Sequence, residues 1–294
     1  MSLLLNSPHP GITLQDLGRK KARELGFSKG GPLDELSYRW ANYLLGNPST
    51  APVLEIILGG VEMELTMDAH LSLTGADLGI ETSRGIPLTP GKTWFLPKGT
   101  ILISKGPRLG QVAYLGIEGG FKRRVYVESV SVPRRERPLF SRISETLFEY
   151  TTCSRSGSKI IPDEFRFVER KFDRVPYFST YQHKDFTSEN IELSKEERFD
   201  RMGAYLSSSG LHYKGEALAS EPIAIGSLQV VNPKKVIALL NDCQTVGGYP
   251  KLGVLSILGK SILVQMKPGK KFRLDPVSPK EAFDNYWSSL AFLT

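Results

Sequence analysis

A mainly β protein in two β-rich halves with a few short helices is the fold this sequence predicts. Three observations carry the prediction. Apolar and polar residues alternate over short runs in both halves, as half-buried strands require. The 28 glycines and 19 prolines among 294 residues break those runs and are too many for a helical bundle. A helical period of three to four residues is clear in two places, near residues 32–45 and 279–290.

The first helix carries Leu33, Leu36, Trp40, Tyr43 and Leu44 on one face, with Pro32 in its first turn and Asp34 and Glu35 complementing the positive end of its dipole. Gly46, Asn47 and Pro48 stop it. Residues 54–58 form a strand that leads across Gly59 and Gly60 into a second one, where Val61, Met63 and Leu65 alternate with Glu62, Glu64 and Thr66. The pattern returns at 69–73, 100–104 and 111–117. From 121 to about 198 it weakens into basic stretches and Ser/Thr clusters, and the domain junction is expected there. The reading is an N-terminal β-rich domain over 1–125, a C-terminal β-barrel domain over 126–294, and a basic junction at about 122–142. Further strands are expected at 227–231, 236–240, 254–258 and 262–266. The last helix opens with a capping box, Ser278 and Glu281, and Pro279 at its first position. Its face of Ala282, Phe283, Tyr286, Trp287 and Leu290 is expected to dock on the same protein.

Composition excludes several classes. With 40% hydrophobic residues, 14 Phe, 11 Tyr and 3 Trp the chain is not disordered as a whole. No apolar run approaches a bilayer span, and residues 3–5 are too short for a signal-peptide core, so a cytoplasmic protein without a membrane partner is expected. Cys153 and Cys243 read as reduced thiols. The net charge of +7 is mostly local: residues 122–142 hold seven basic residues against two acidic ones. A local patch broken by Pro133 and Pro138 reads as a solvated loop and weighs against a nucleic-acid partner. The sequence has no phosphate-binding loop, no dinucleotide fingerprint and no paired histidines at metal-ligand spacing, so nucleotide chemistry is left to a partner and no metal is expected. His70 reads as an exposed imidazole facing away from Ala69 and Leu71.

Four segments hold more polar and glycine residues than packing alone requires: QDLGR (15–19), GGPLD (30–34), LTGAD (73–77) and NDCQTVGGYP (241–250). In each, glycines let the backbone turn sharply beside a fixed polar side chain, as loops at strand ends do around a pocket. Each also has a structural reading: an Asp capping a turn, an Arg pairing with it, or a Gly-Gly bend.

Taken together these segments resemble the second-subunit family of allophanate-hydrolase-type and biotin-dependent carboxyltransferase proteins. That family includes the C subunit of 5-oxoprolinase and the antagonist of a sporulation-kinase inhibitor. The resemblance rests on GITLQDLGR (11–19), GGPLDELSYRWANYLLGN (30–47), LEIILGG (54–60), LTGAD (73–77), FDRMGAYL (199–206), SEPIAIGSLQVV (220–231) and DCQTVGGYP (242–250), and covers about 10–121 and 198–282. It implies a cyclophilin-like antiparallel β-barrel architecture. It also implies a subunit that works beside a first-subunit homologue of the allophanate hydrolase subunit 1 type, and beside a further subunit in a 5-oxoprolinase. The leading activity so implied is ATP-dependent opening of 5-oxoproline to glutamate, with biotin-dependent carboxyl transfer to a small amide beside it. No cofactor would be bound covalently, and ATP or carboxybiotin would come with partner subunits. Met266-Lys267 is similar to a biotin-acceptor dipeptide, but Pro268 follows and the flanking pattern is absent, so a strand end is expected there.

At positions matching the family's motifs, Gln244 and Tyr249 are the catalytic candidates: an amide can donate to and accept from an amide substrate, and a phenol can bond a developing oxyanion. Asp34, Asn42 and Asp77 are expected to shape the polar wall of the pocket, and Arg201 to pair with a carboxylate of substrate or protein. The structural reading of Arg201 is an ion pair near Asp200 or with Asp242; that of Asn42 is satisfaction of nearby backbone groups. Three departures from the family pattern bear on catalysis, one of them the loss of the customary Asp-Gly in the turn before Lys234 and Lys235. The stretch after Gly119-Gly120 lacks the usual glycine-rich segment, and Cys243 stands where the family's DRQT has arginine, whose planar fork a thiol cannot replace. The alternative function is therefore a non-catalytic binding or regulatory protein that keeps the fold and antagonises a first-subunit, kinase-inhibitor-like partner.

Overall fold

A computed structural model describes residues 1–139, 146–151, 159–163, 166, 172–187, 191–216 and 218–290. Cys153 and residues 140–142 of the basic stretch lie outside them. Two compact units divide the chain: one takes 1–19 and 30–170, the other 20–29 and 171–292. The stretch 126–170 thus belongs with the first half, whereas the sequence reading began a new domain at 126. Strand pairing is the reason. Residues 147–149 run antiparallel to residues 2–4 at the N-terminus, which ties that stretch to the first unit.

The first unit contains β1 (Ser2–Leu5), β2 (Ile12–Gln15), α1 (Glu35–Leu45), β3 (Val53–Ile57), β4 (Val61–Leu65), β5 (Ala69–Asp77), β6 (Ile80–Thr82), β7 (Lys92–Leu96), β8 (Ile101–Ser104), β9 (Leu109–Ile117), β10 (Phe121–Lys122) and β11 (Leu147–Tyr150). They form a six-stranded sheet, β10-β11-β1-β4-β8-β6, and a five-stranded sheet, β2-β3-β9-β5-β7. One core joins the two, with Leu3, Met63 and Leu102 from the first sheet and Leu14, Ile56, Leu71 and Leu115 from the second. Helix α1 packs on the five-stranded sheet, where the Ser72 and Thr74 hydroxyls donate to the Ala41 and Ser37 carbonyls at 2.8 and 2.7 Å. Core on one face and helix on the other bury every residue of β3, so that strand is apolar on both faces except at Glu55, which is buried with a hydrogen bond from the Tyr114 hydroxyl. Gly59 and Gly60 do not close a hairpin, because β3 and β4 lie in different sheets. They carry the chain from one sheet to the other at φ 72° and 79°, a conformation glycine adopts without strain.

Helix α1 begins later than its sequence pattern suggests. Asp34 is its N-cap and accepts from the Ser37 amide, so Pro32 precedes the helix and does not sit in its first turn. Gly46, at φ 65°, closes it as expected. His70 is half-buried, with its ring centroid 4.9 Å from that of Phe95, and is less exposed than the alternation implied.

The second unit contains β12 (Arg174–Ser179), β13 (Glu192–Phe199), β14 (Gly203–Ser208), β15 (Glu221–Pro222), β16 (Ser227–Asn232), β17 (Lys235–Leu239), β18 (Val246–Gly247), β19 (Lys251–Leu255), α2 (Ile257–Gln265), β20 (Lys271–Pro276) and α3 (Pro279–Ser288). Seven of these strands close a barrel in the order β12-β19-β16-β17-β14-β13-β20. Its pairs are antiparallel except β12 with β20, which run parallel. Strands β15 and β18 pair separately.

The two strands expected at 254–258 and 262–266 are a correction. Strand β19 ends at Leu255, and the following apolar run is helix α2. Ser256 caps it, accepting from the Gly259 amide at 3.0 Å, and the helix is buried from Gly259 through Gln265. A helix buried all round shows no amphipathic period, and a short apolar run then reads as a strand. Lys267 follows the helix C-cap Met266, so the expected strand end there is a helix end. Helix α3 forms with its full capping box. It packs on α2; Tyr286 and Leu290 are buried, whereas Phe283 and Trp287 stay 62% and 40% exposed. Among the described residues no helix is long and apolar enough to cross a membrane.

Candidate functional site

The six residues singled out by sequence divide between the units. Asp34, Asn42 and Asp77 belong to the first, and Arg201, Gln244 and Tyr249 to the second. Those of the first unit are engaged locally. The Asp34 carboxylate accepts from the Ser37 amide at 3.2 Å and from its hydroxyl at 2.6 Å. The Asp34 amide donates to the Tyr114 hydroxyl, which donates in turn to Glu55, each at 2.7 Å. Burial, then the Glu55 and Asp34 charges, raise the Tyr114 phenol well above its ordinary pKa and keep it a donor. Asn42 is buried and donates to the Ala51 carbonyl at 2.9 Å. It lies eight residues beyond Asp34 on a helix rising about 1.5 Å per residue, so about 12 Å separate the two. Asp77 accepts from the Gly79 amide at 2.8 Å, an Asx turn at the end of β5.

In the second unit the candidate residues lie on the loop between β17 and β18, on the turn after β18 and, for Arg201, after β13. Arg201 follows β13 and forms a two-pronged ion pair with Asp242, Nε to Oδ2 at 3.0 Å and Nη2 to Oδ1 at 2.9 Å. Both side chains are under a tenth exposed. This is the protein-carboxylate alternative read from the sequence. The Lys260 ammonium of α2 donates to Asn241 Oδ1 at 2.7 Å. The Cys243 thiol is fully buried beside Ile223 and Leu239. An arginine does reach this position from elsewhere: Arg23 Nη1 lies 3.9 Å from Cys243 Sγ.

Gln244 and Tyr249 differ from the other four. Gln244 is half-buried and Tyr249 is 50% exposed, and among the described residues neither side chain has a hydrogen-bond partner. Gly247 and Gly248 lie between them, and a Cβ on Gly247 would meet Ile223 Cδ1 at 2.6 Å, so a larger residue there would require the Ile223 side chain to shift. Lys251 of β19 and Glu221 of β15 form an ion pair at 2.5 Å. Hydrogen bonding from Lys251 holds the Glu221 carboxyl below its ordinary pKa. Gln182, fully buried, donates to Glu221 at 3.2 Å and accepts from the Lys251 amide at 2.6 Å. The Gln229 Nε2 is buried beside Gly247 without a partner among the described residues.

Sequence reasoning did not single out Arg23, Gln182, Glu221, Lys251 or Lys195. Nothing in the sequence around Lys251 or Lys195 marks either lysine, and only the burial of both gives them away. Among the described residues no group of three or more His, Cys, Asp or Glu side chains could hold a metal ion.

The sequence matches the family described as "Carboxyltransferase domain, subdomain A and B" over residues 25–140 and 159–276. It is 29% identical to a protein named as the C subunit of 5-oxoprolinase from Haemophilus influenzae, over 92% of this chain and 89% of the relative. The protein of the same name from Escherichia coli is similar to the same extent, 29% over the same shares. Among solved structures, that of TTHA0988 superposes with a TM-score of 0.77 at 26% identity, covering 94% of this chain and 56% of that one. The Kluyveromyces lactis urea amidolyase gives a TM-score of 0.82 at 18% identity over 98% of this chain, a likeness of fold. This chain spans 19% of that longer protein.

Proposed function

The chain belongs to the carboxyltransferase-domain family of subdomains A and B, and from that premise we propose that it is one subunit of an assembly acting on a small amide, with ATP-dependent hydrolysis of 5-oxoproline to glutamate as the leading reaction. One observation carries the reading: the similarity to two proteins named as the C subunit of 5-oxoprolinase runs over 92% of this chain and 89% of theirs. The partners are a first-subunit homologue and a further 5-oxoprolinase subunit, in the cytoplasm.

Gln244 supplies the chemistry that suits such a substrate. A primary carboxamide presents a donor and an acceptor side by side, which complements the N–H and C=O of a lactam or of a ureido ring. With no hydrogen bond of its own among the described residues, the Gln244 side chain is available for that pairing. Carboxybiotin, which supplies an activated carboxyl group when bound, fits this donor set through its ureido ring. ATP, as the family resemblance implies, is supplied with a partner subunit. Tyr249 can donate to an oxygen that gains charge as the amide opens.

The test is reconstitution. Coexpressed with both partner subunits, the wild-type chain should release glutamate from 5-oxoproline only with ATP. Gln244→Ala should lower turnover on the order of 100-fold while the assembly still forms, the size of effect seen for loss of one oxyanion donor. Unchanged turnover would remove Gln244 from the site. A second reading, a binding protein without chemistry, is favoured by the buried thiol of Cys243 in place of a charged fork. It prevails if the wild-type assembly forms tightly and turns over nothing.

A further inference from the structure

Residues 20–29 leave the first unit and join the second. Within this excursion the short 3-10 turn Ala22–Leu25, closed by Gly26 at φ 84°, presents Arg23. Its Nη2 donates to the Ile223 carbonyl at 2.6 Å and to the Gln244 carbonyl at 3.2 Å. Ser28, five residues on, donates to the Asp242 carbonyl at 3.0 Å and approaches that of Cys243 at 3.4 Å. Three successive carbonyls, those of 242, 243 and 244, are thus met by two side chains of one segment. The same loop is also held by the Arg201–Asp242 pair and the Lys260–Asn241 hydrogen bond.

The two acceptors of Arg23 lie on separate connections, one entering the turn after β15 and the other leading into β18. A guanidinium is suited to join them, because it is planar, charged at every relevant pH and presents several donors in fixed directions. Gln244 is then fixed through its backbone, while its carboxamide has no protein partner among the described residues. That combination of a held main chain and an unengaged side chain is what a preorganised binding group requires.

We infer that Arg23 is a positioning residue: it clamps the Ile223 and Gln244 carbonyls together so that the Gln244 carboxamide meets its ligand preorganised. The clamp stands on the hydrogen bonds alone, and its role in presenting Gln244 rests on the function proposed above.

The test compares wild type, Arg23→Gln and Arg23→Lys as full chains. Amide hydrogen exchange is read at Ile223, Asp242 and Cys243, whose amides donate to Thr245, Arg201 and Leu240. In Arg23→Gln these amides should exchange about tenfold faster, equivalent to about 1.4 kcal/mol, with those of β14 and β17 unchanged. Arg23→Lys keeps the charge but lacks the planar fork, so it should recover only part of the protection; it also serves if the glutamine variant fails to fold. In the reconstituted assembly with 5-oxoproline as probe, kcat should fall by about tenfold with the KM for ATP unmoved, a split that general loosening of the fold would not give. Unchanged exchange refutes the clamp whatever the turnover. Faster exchange with unchanged kcat refutes the presentation role. A wild-type assembly without turnover refutes the proposed function and the presentation role with it, and the exchange result then decides the clamp by itself.

Discussion

Replacing Lys195 with methionine should remove a pH dependence from the stability of the barrel. Lys195 is 1% exposed. Its ammonium donates to the Val264 and Met266 carbonyls at 3.2 and 2.8 Å, at the C-terminal end of α2, and lies 4.4 Å from the centroid of the Phe199 ring. Burial lowers its pKa from 10.5 to about 7. In the unfolded chain the amine keeps its proton up to its ordinary pKa. Between pH 7 and 10.5 the unfolded state therefore binds more protons than the folded state, and stability rises with pH. Below pH 7 both states are protonated and the folded state bears the whole penalty of a buried charge. At about 1.36 kcal/mol per pH unit the window amounts to about 5 kcal/mol. Lys195→Met keeps the volume and the flexible stem but deletes the titration. It also leaves two carbonyls without their donor, at about 1–3 kcal/mol, so near pH 7 the variant should be the more stable by roughly 2 kcal/mol. Urea denaturation of both proteins from about pH 6 to 10, followed by far-UV circular dichroism, measures the difference, and titrations common to both cancel. The advantage of the variant should shrink and reverse as pH rises. A wild-type-minus-variant difference that stays flat with pH would refute the reasoning.

Two further outcomes follow from the packing. Arg201→Ala leaves the Asp242 carboxylate buried without its two-pronged partner and should cost about 3–5 kcal/mol in thermal or chemical denaturation, whereas Arg201→Ala combined with Asp242→Ala should recover part of that loss. Ser278→Ala removes half of the capping box of α3 and should cost about 1 kcal/mol, visible as faster amide exchange at Glu281, which donates to the Ser278 hydroxyl at 3.2 Å.

Where burial is one-sided, the sequence pattern and the structure agree. In β4, Val61, Met63 and Leu65 point to the core while Glu62 is exposed and Glu64 half-buried, and the alternation is plain in the sequence. Helix α3 announces itself through Ser278, Pro279 and Glu281 because its cap is made of local contacts. Pattern fails where burial is two-sided or pairing is distant. Helix α2 is buried on every face from Gly259 through Gln265, with Lys260, Ser261 and Gln265 among the buried residues, so its amphipathic period vanishes. Strands β12 and β13 carry Arg174, Lys195, Glu196, Glu197 and Arg198, and this charge hid two barrel strands inside an apparently irregular stretch. Nothing local in the residues around 147–150 indicates that their partner is the N-terminal strand.

The candidate site separates along the same line. Asp34, Asn42, Asp77 and Arg201 stand out in sequence because they are polar residues at turns and helix ends, yet those are the places where the backbone itself needs polar partners, and the fold engages all four, the first three by residues near in sequence and Arg201 by Asp242, 41 positions away. Gln244 and Tyr249 come from an equally polar segment and are left without partners among the described residues. Composition cannot distinguish the two groups, since the difference lies in whether a neighbour in the fold has already met the side chain. Arg23 shows the converse. It lies 221 positions from Gln244 in the chain, in an unremarkable basic turn, and reaches main-chain carbonyls and the Cys243 thiol. A residue that acts on backbone carbonyls needs no matching residue type at the far end, so the sequence of the loop carries no sign of it. Unengaged polar side chains on a main chain held from a distance are therefore the physical criterion that singles out Gln244.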